Sequence, residues 1–365
     1  MSDLGRAPSV SPAGADMTRP LVEVSDLRKW FPLQTGFLAG LLHRGEVPSV
    51  RAVDDVSFDI RRGEVFGLAG ESGSGKSTVG RLILGLLDPT AGTVTFDGQD
   101  LSTLHPEEMR QLRSRMQVVF QDPLASLNPR MTMGQAIGHP AEIHMPNLTP
   151  AQQKATVFEM LDAVGMSPPE QFYAKYPHQI SGGQRQRIVL ARALVTKPDL
   201  IVADEPIAMA DVSVRALLLD LMMELKQEFN LTYLFITHDL ATAKYVCDRI
   251  AVMYLGKIVE MGTLHDVFES PTHPYTRALL DAVPVPDPRH RRTEPMPRGE
   301  IPSAINPPSG CRFHPRCPIA QSGICDVLEP RLEPLPAGHP EHLASCHLRT
   351  GNHLDLDPER GLRRI

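Results

Sequence analysis

The stretch GESGSGKST, Gly70 to Thr78, decides the fold of this 365-residue chain. It fits Gly-x-x-x-x-Gly-Lys-Ser/Thr, a phosphate loop in which backbone N–H groups of a glycine-rich turn surround the phosphates of a nucleotide. An apolar run, VFGLAG, precedes it and a helix-like run, TVGRLILGLL, follows it, which is the strand–loop–helix order that the motif requires. The nucleotide contacts predicted from this stretch are Gly70, Glu71, Ser72, Gly73, Ser74, Gly75, Lys76, Ser77 and Thr78.

Within the loop, two side chains have separate predicted roles. Lys76 is expected to reach the β- and γ-phosphates, and the Ser77 hydroxyl is expected to ligate Mg²⁺. Two runs further along, ISGGQRQR from Ile180 and LIVADEP from Leu200, strengthen the prediction. Together with the loop they indicate an ATPase.

Polar residues follow two apolar runs that are typical of buried strands. Asp204 and Glu205 end LIVADEP, where side chains emerge at the carboxyl edge of a parallel sheet beside the phosphate loop. We expect Asp204 to hold Mg²⁺ through water and Glu205 to polarise the attacking water. His238 follows LFIT and is predicted to contact the γ-phosphate and fix that water. Without the other motifs, a solvated strand end and a core histidine would be the simpler interpretations.

The bulk composition is that of a globular protein, with 42% hydrophobic and 22% charged residues. The formal net charge of -6 gives no reason to expect a nucleic acid as the main partner. No apolar run approaches the roughly 18 residues needed to span a bilayer. Residues 1–20 lack a continuous apolar core, so we expect a disordered leader rather than a secretory signal. These features predict a protein that is cytosolic, or peripheral to a membrane through a partner.

The order of apolar runs predicts an α/β fold with a parallel sheet covered by helices on both faces. LVEVSDLRKWF from Leu21 and AVDDVSFDI from Ala52 alternate like strands and are expected to pair in a separate β arm. Beyond Pro271 the composition shifts to Pro, His, Arg and Cys, which predicts a small loop-rich module. The predicted segments are a leader (1–20), an ATPase domain (21–270) with a helical subdomain (about 122–195), a C-terminal module (271–350) and a tail (351–365).

Four of the five cysteines fall within this module, and their clustering favours metal ligation in a reducing cytosol. Their spacing does not match a CxxC zinc knuckle. Four thiolates suit a 4Fe–4S cluster or a tetrahedral zinc ion, and unliganded thiols or disulfides are the remaining alternative. Nearby histidines are expected to be exposed loop residues. The cysteines are Cys311, Cys317, Cys325 and Cys346, and the histidines are His314, His339, His342 and His347.

Taken together, the motifs from about Leu21 to Gly262 resemble the ATP-binding cassette (ABC) ATPases. The resemblance implies that two cassettes sandwich two ATP molecules head to tail, with each signature sequence capping the γ-phosphate bound by the opposite subunit. It implies that Phe31, or else Trp30, stacks on adenine. It further assigns the Walker A loop to Gly70–Ser77, the Q-loop glutamine and Mg²⁺ contact to Gln121, the signature to Ser181, Gly182, Gly183 and Gln184, Walker B to Asp204 and Glu205, and the switch histidine to His238.

A narrower resemblance extends to about residue 348. QDPLASLNPRMT from Gln121, SPTHPYTRALLDAVPVPDP and PPSGCRFHPRCP are similar to the ATPase subunits of oligopeptide/dipeptide importers. GGQRQR and KWFP are closer to the second of that system's two paired ATPases. The resemblance implies a heterodimer with a second cassette, two membrane permease subunits and an extracytoplasmic substrate-binding protein. It also implies a location at the cytoplasmic face of the cell membrane, and it favours a 4Fe–4S cluster at the four cysteines.

A soluble ABC ATPase that acts on ribosomes or DNA repair complexes is the rival interpretation. Such proteins usually carry tandem cassettes or long coiled coils, and this chain has neither.

One segment departs from the family pattern. The D-loop, usually Ser-Ala-Leu-Asp, is here Ala208–Met209–Ala210–Asp211. The aspartate, which is expected to touch the partner's ATP site, remains, but the serine hydroxyl and the leucine are missing. One hypothesis is weakened coupling between subunits, so that one of the two sites turns over slowly. The alternative is that Ala and Met pack acceptably and nothing changes.

Overall fold

The computed structural model describes residues 19–33, 48–283, 297, 299–336 and 340–349. The predicted leader up to residue 18, the predicted tail (351–365) and His339 lie outside the described residues.

Twelve strands are formed by the described residues. They are β1 (Val22–Pro32), β2 (Ser49–Ile60), β3 (Val65–Ala69), β4 (Ala91–Phe96), β5 (Gln99–Asp100), β6 (Met116–Val119), β7 (Leu200–Asp204), β8 (Thr232–Thr237), β9 (Arg249–Tyr254), β10 (Lys257–Thr263), β11 (Glu333–Pro334) and β12 (Leu343–Ala344).

The strands form two sheets. A four-stranded antiparallel sheet has the order β2-β1-β4-β5 and contains the predicted pairing of the first two alternating runs, with Val22 opposite Ile60. The second sheet has the order β11-β12-β10-β9-β3-β8-β7-β6. Its five strands from β9 to β6 are parallel, as predicted, whereas β10, β12 and β11 add antiparallel at one edge.

Helices cover both faces of the larger sheet. Successive residues of β3 point to opposite sides, so that Val65 and Ala69 belong to one apolar cluster and Phe66 and Leu68 to another. The helices are α1 (Lys76–Ile83), α2 (Pro106–Arg115), α3 (Pro123–Ser126), α4 (Met133–His144), α5 (Pro150–Ala163), α6 (Glu170–Tyr173), α7 (Gly182–Leu194), α8 (Val212–Phe229), α9 (Leu240–Val246), α10 (Leu264–Glu269) and α11 (Pro274–Asp281).

Each of the two apolar clusters packs helices against one face of the larger sheet. The cluster that contains Val65 continues into α4, α5 and α7, which form the predicted helical region. The cluster that contains Phe66 joins the larger sheet to α1 and to the antiparallel β arm. Because β3, β8 and β9 are buried along their whole length, their near-continuous apolar sequences have a direct physical cause.

The C-terminal residues complete the larger sheet instead of forming a sheet of their own. Strand β12 pairs with β10, with Ala344 opposite Glu260. Glu260 is fully buried and accepts hydrogen bonds from the backbone N–H groups of Thr272 and His273 at 2.7 and 2.9 Å. His342 Nε2 lies 2.8 Å from the same carboxylate. The prediction that His342 is an exposed loop residue is therefore wrong, because the residue is 2% exposed and its ring pairs with a buried acid. His314 and His347 are half-buried rather than exposed, so the prediction is wrong for them as well.

Candidate functional site

The phosphate loop connects β3 to α1 in the predicted strand–loop–helix arrangement. Its glycines are needed where the chain passes close to other backbone. A Cβ atom on Gly75, whose φ is +106°, would lie 2.1 Å from the Ala52 carbonyl oxygen. On Gly70, with φ +148°, it would lie 2.2 Å from the Met253 carbonyl oxygen. Only glycine fits either position, so β2 and β9 fix the path of the loop.

Lys76 is the first residue of α1, and its ammonium group folds back onto the loop. It donates to the carbonyl oxygens of Gly70 and Glu71 at 2.8 and 2.9 Å. Burial lowers the pKa of this lysine, partly opposed by the nearby carboxylates of Glu205 and Asp204. The next residue, Ser77, donates its hydroxyl to Asp204 Oδ1 at 3.0 Å. Burial also raises the pKa of Asp204. Both shifts have the same cause, which is the cost of holding a charge away from water.

Two predicted residues from separate parts of the chain, Gln121 and His238, contact the carboxylate of a third, Glu205. Glu205 follows β7, and its Oε2 accepts a hydrogen bond from Gln121 Nε2 at 2.9 Å. Its Oε1 lies 2.9 Å from His238 Nδ1, at the end of β8. Because β7 and β8 are adjacent and parallel, both strands deliver their polar residues to the same edge, as predicted. Open depressions of about 420 and 460 Å³ adjoin this group, the first lined by Glu205 and His238 and the second by Gln121 and Asp204.

The signature sequence lies at the exposed start of α7. The Ser181 hydroxyl accepts from the Gln184 N–H at 3.3 Å, and Gln184 Oε1 accepts from the Ser181 N–H at 2.9 Å. This reciprocal capping box fixes the first turn of the helix. Gly182 is exposed, and a Cβ atom there would meet nothing within 4 Å. Gly183 is the next residue of the same turn and is half-buried.

The two aromatic residues predicted to contact adenine lie near the end of β1. Phe31 is 37% exposed. Trp30 donates its indole N–H to Asp54 Oδ1 at 3.1 Å, and the Arg51 guanidinium lies over its ring at 4.5 Å. The Lys29 ammonium lies 5.3 Å from the centre of the Phe31 ring, so each of the two rings has a cation over it, and Trp30 alone of the two also donates a hydrogen bond to Asp54.

The D-loop joins β7 to α8. Ala210 is buried, whereas Met209 is 64% exposed. Asp211 is the residue immediately before α8. The leucine of the family pattern is thus replaced by a smaller buried residue. The Ala210 carbonyl accepts a hydrogen bond from Arg215 Nε at 3.0 Å.

The four clustered cysteines line one small cavity. His273, Phe313 and Ile319 contribute to the same walls. None of the four forms a disulfide bond, and burial raises the pKa of Cys311 to about 12 and also raises the pKa of Cys317 and Cys346. Among the described residues, no three His, Cys, Asp or Glu side chains are arranged to hold a metal ion.

Sequence reasoning missed the residues that tie this module to the phosphate loop. Arg316 Nη1 donates to Glu71 Oε2 at 2.9 Å, and the Tyr275 hydroxyl accepts from the Glu71 N–H at 2.9 Å. These contacts join residues more than 200 positions apart. No local periodicity signals such a contact, although an arginine between two cysteines was a visible candidate.

Known proteins share both parts of this architecture. The sequence model for ABC transporters matches residues 53–208, and the model for the C-terminal region of oligopeptide/dipeptide transporters matches residues 259–325. The ATP-binding cassette MJ0796, solved as a dimer in a post-hydrolysis state with ADP and Pi, is 27% identical with a TM-score of 0.58. That match covers 67% of this chain and 98% of the other. The structure of cbiO1 from Clostridium perfringens also has a TM-score of 0.58, at 25% identity over 69% and 91% of the two chains.

Curated relatives match over most of the chain. AppF of Bacillus subtilis (strain 168), an oligopeptide transport ATP-binding protein, is 46% identical over 332 residues, which cover 90% of this chain and 97% of AppF. The protein y4tS of Sinorhizobium fredii (strain NBRC 101917 / NGR234), described as a probable peptide ABC transporter ATP-binding protein, is 47% identical over 91% of each chain.

The fold and the residues around the phosphate loop define an ABC-type ATPase. Within that class, the chain belongs to the family of ATP-binding proteins of oligopeptide and dipeptide ABC transporters. None of the helices in the described residues is both long and apolar enough to span a bilayer.

Proposed function

We propose that this chain is the ATP-hydrolysing subunit of a peptide importer. The observation that carries the proposal is the meeting of Gln121, Glu205 and His238 beside the phosphate loop, in a chain whose C-terminal region matches the oligopeptide/dipeptide transporter model. Peptide and oligopeptide transport is the role named for its relatives y4tS and AppF. ATP binding closes a pair of cassettes, and hydrolysis reopens them.

The chemistry follows from where each side chain lies. Backbone N–H groups of the phosphate loop and the N-terminus of α1 hold the phosphates, and Lys76 exchanges its contacts with loop carbonyls for phosphate oxygens. Ser77, Gln121 and Asp204 are the residues that would hold Mg²⁺, which neutralises phosphate charge when bound. Glu205 accepts a proton from the attacking water. His238 orients that water and the carboxylate.

The signature supports a site shared between two cassettes. Gly182 has open space around it, so its own chain does not require a glycine at this position. The capped N-terminus of α7 presents N–H groups and the positive end of a helix dipole, which favour an anion. We assign that anion as the γ-phosphate of ATP bound by the partner cassette, with Asp211 approaching the same site. The dimeric state of MJ0796 supports this arrangement.

The assembly we propose has a second, homologous cassette, two membrane permease subunits and an extracytoplasmic substrate-binding protein. The chain lies at the cytoplasmic face of the membrane, bound to the permeases through the depression beside Gln121 and the helical region. A tagged copy should co-purify from detergent-solubilised native membranes with two multi-span proteins and a second cassette, identified by mass spectrometry. Recovery of ribosomes or DNA repair proteins would instead favour the soluble ABC class, and recovery of two identical cassettes would contradict the heterodimer.

For the C-terminal module we propose a 4Fe–4S cluster held by Cys311, Cys317, Cys325 and Cys346. Support comes from the chemistry of the donors, because four cysteine side chains that form no disulfide bond line one cavity with apolar walls. In the described residues these side chains are not in ligating positions, so binding of the cluster must bring the four sulfur atoms together. Four thiolates are the usual ligands of such a cluster, and also of structural zinc. Anaerobically purified protein should contain iron and acid-labile sulfide and absorb visible light, and Cys317→Ser should lose all three. Zinc without sulfide would contradict the cluster but keep a metal site, and fully titratable thiols would contradict both.

A further inference from the structure

The segment between the first two clustered cysteines, Cys311–Cys317, contacts the cassette beside the phosphate loop. The guanidinium of Arg316 donates to both carboxylate oxygens of Glu71, at 2.9 and 3.4 Å. Glu71 is the second residue of the phosphate loop. A two-point contact between a guanidinium and a carboxylate fixes orientation as well as distance. The Arg316 side chain is only 10% exposed, so water screens this pair less than it screens a surface pair.

The backbone of the same loop residue is held by a second side chain. The Tyr275 hydroxyl accepts from the Glu71 N–H at 2.9 Å. Tyr275 is fully buried, and its ring packs 5.4 Å from that of Phe313, which lies in the segment Cys311–Cys317. The Glu71 carbonyl in turn accepts from Lys76 at 2.9 Å. Glu71 therefore connects the C-terminal module to Lys76, the lysine that is proposed to hold the phosphates.

A second arginine of the same segment reaches the β arm, next to the aromatic residues that are predicted to stack on adenine. Arg312 donates to the Leu255 carbonyl at 2.7 Å and to the carboxylate of Asp54. Asp54 also accepts the indole N–H of Trp30, the residue before Phe31. The Arg312 and Asp54 side chains are 7% and 9% exposed. Removing either partner would leave a buried, unpaired charge, so this pair constrains the β arm strongly.

We propose that Cys311–Cys317 is a positioning element of the ATP site. Arg316 holds the phosphate loop through Glu71, while Arg312 holds the adenine side through Asp54 and Trp30. Neither arginine needs to touch the nucleotide, since each acts through a residue of the cassette. This inference rests on the proposed placement of ATP at the phosphate loop. Because coupling between two sites is reciprocal, ATP binding must also stabilise the cysteine segment.

The Arg316–Glu71 contact can be tested by a double-mutant cycle on the full chain. Arg316→Gln and Glu71→Gln should each weaken ATP binding about fivefold to tenfold, and the double variant should be no weaker than the weaker single variant. Titration calorimetry gives the ATP dissociation constants of wild type and the three variants, from which the coupling between Arg316 and Glu71 is calculated. In steady-state assays KM should rise while kcat changes less than about twofold. Arg331→Gln, at an exposed arginine of the same module, is the matched control and should bind ATP like wild type.

Two results would overturn the inference. One is wild-type ATP affinity in Arg316→Gln, and the other is a double variant whose loss equals the product of the two single losses. Lys76→Ala separates this failure from a wrong ATP site. If Lys76→Ala binds ATP normally, the proposed site itself is wrong. If Lys76→Ala loses affinity while Arg316→Gln does not, only the positioning role fails.

A measurement on the unaltered protein avoids any dependence on how the variants fold. Hydrogen–deuterium exchange, followed by mass spectrometry, should show slower amide exchange in residues 311–317 after ATP is added. Protection of the phosphate loop by ATP with no change in residues 311–317 would overturn the proposal.

Discussion

At the residue scale, Glu205 has an unusual backbone. Its φ of 49° lies in the left-handed region, which a non-glycine residue seldom adopts. Its N–H nevertheless donates to the Ile236 carbonyl at 2.9 Å. This conformation costs about 1–3 kcal/mol and persists where the surroundings enforce it. Here the side chain is brought between Gln121 and His238, so the strain coincides with the proposed catalytic position.

Glu205→Gln tests that position. The amide keeps the shape of the side chain but cannot accept a proton, so ATP turnover should fall at least about 100-fold while ATP binding is retained. Binding by calorimetry and phosphate release by the assembled transporter measure the two effects. Glu228→Gln, an exposed residue of α8, should leave both unchanged. Sustained hydrolysis by Glu205→Gln would show that another group is the base.

His273 predicts a pH dependence of stability. Burial lowers its pKa from 6.5 to about 4, and its Nδ1 accepts a hydrogen bond from the Tyr275 N–H in the first turn of α11. Above pH 6.5 the ring is neutral in both states and adds no pH dependence. As the pH falls towards 4, the unfolded chain binds a proton that the folded protein refuses, so stability is lost. Glu260 and His342 face the same buried region.

The corresponding variant is His273→Asn, since asparagine can also cap the helix. Between pH 7.5 and pH 5, wild type should lose about 2 kcal/mol more stability than the variant. Thermal unfolding at the two pH values measures the difference. Equal losses would contradict a neutral buried ring. All other groups titrate in both proteins and cancel in the comparison.

The residues of the candidate site differed in how far the sequence could place them. Asp204 ends a strand, and Glu205 and His238 follow strands, whose apolar runs are unmistakable. The edge of the sheet that the three residues share was therefore predictable. Gln121 was placed by resemblance alone. The contacts of Glu71 with Arg316 and Tyr275, and of Glu260 with His342, depend on distant segments meeting. Their energy comes from three-dimensional burial, which leaves no periodic trace in the sequence.

At the scale of elements, the D-loop shows how a departure from the family pattern is absorbed. Ala210 occupies a buried position and Met209 an exposed one. The missing leucine is therefore a question of core packing, whereas the missing serine hydroxyl at Ala208 is a question of contact with a partner. The two hypotheses made from the sequence can be separated by separate substitutions.

Ala208→Ser restores the hydroxyl at a half-buried position and should leave thermal stability unchanged. Ala210→Leu adds three carbons to a packed core and should destabilise the fold by about 1–3 kcal/mol. If weakened coupling between cassettes slows one site, Ala208→Ser should raise ATP turnover of the assembled transporter. Turnover equal to wild type would leave acceptable packing as the better hypothesis.

The strands were predictable to different degrees. The buried parallel strands and the β arm follow directly from apolar runs and alternation. Strands β11 and β12 contain only two residues each, too few to show any period. The pairing of β12 with β10 joins residues about 80 positions apart, so it could not be predicted from neighbouring sequence.

At the scale of the whole molecule, the exposed signature predicts a variant that separates folding from assembly. Gly182→Asp places a carboxylate at the N-terminus of α7, where a negative charge is favourable by about 0.3–1 kcal/mol. The isolated chain should therefore be at least as stable as wild type and bind ATP normally. In the assembled transporter the same charge faces a phosphate, and turnover should fall at least about tenfold.

Thermal unfolding, ATP titration and ATPase assays of the assembled transporter measure these three effects. Gly182→Ala, which adds a methyl group to open space, is the matched control and should fall less in turnover. Wild-type turnover by Gly182→Asp would contradict a phosphate at this position.

The pairing of β12 with β10 also has a consequence for biosynthesis. Residues 343–344 leave the ribosome long after Lys257–Thr263, so the cassette's sheet keeps an unpaired edge while the rest of the chain is made. Over the same interval Glu260 lacks its contact with the imidazole of His342. Unpaired strand edges are sites of aggregation during folding. A nascent chain stalled before residue 342 should therefore depend on chaperones, and a chain in which residues 342–344 have left the ribosome should be released from them.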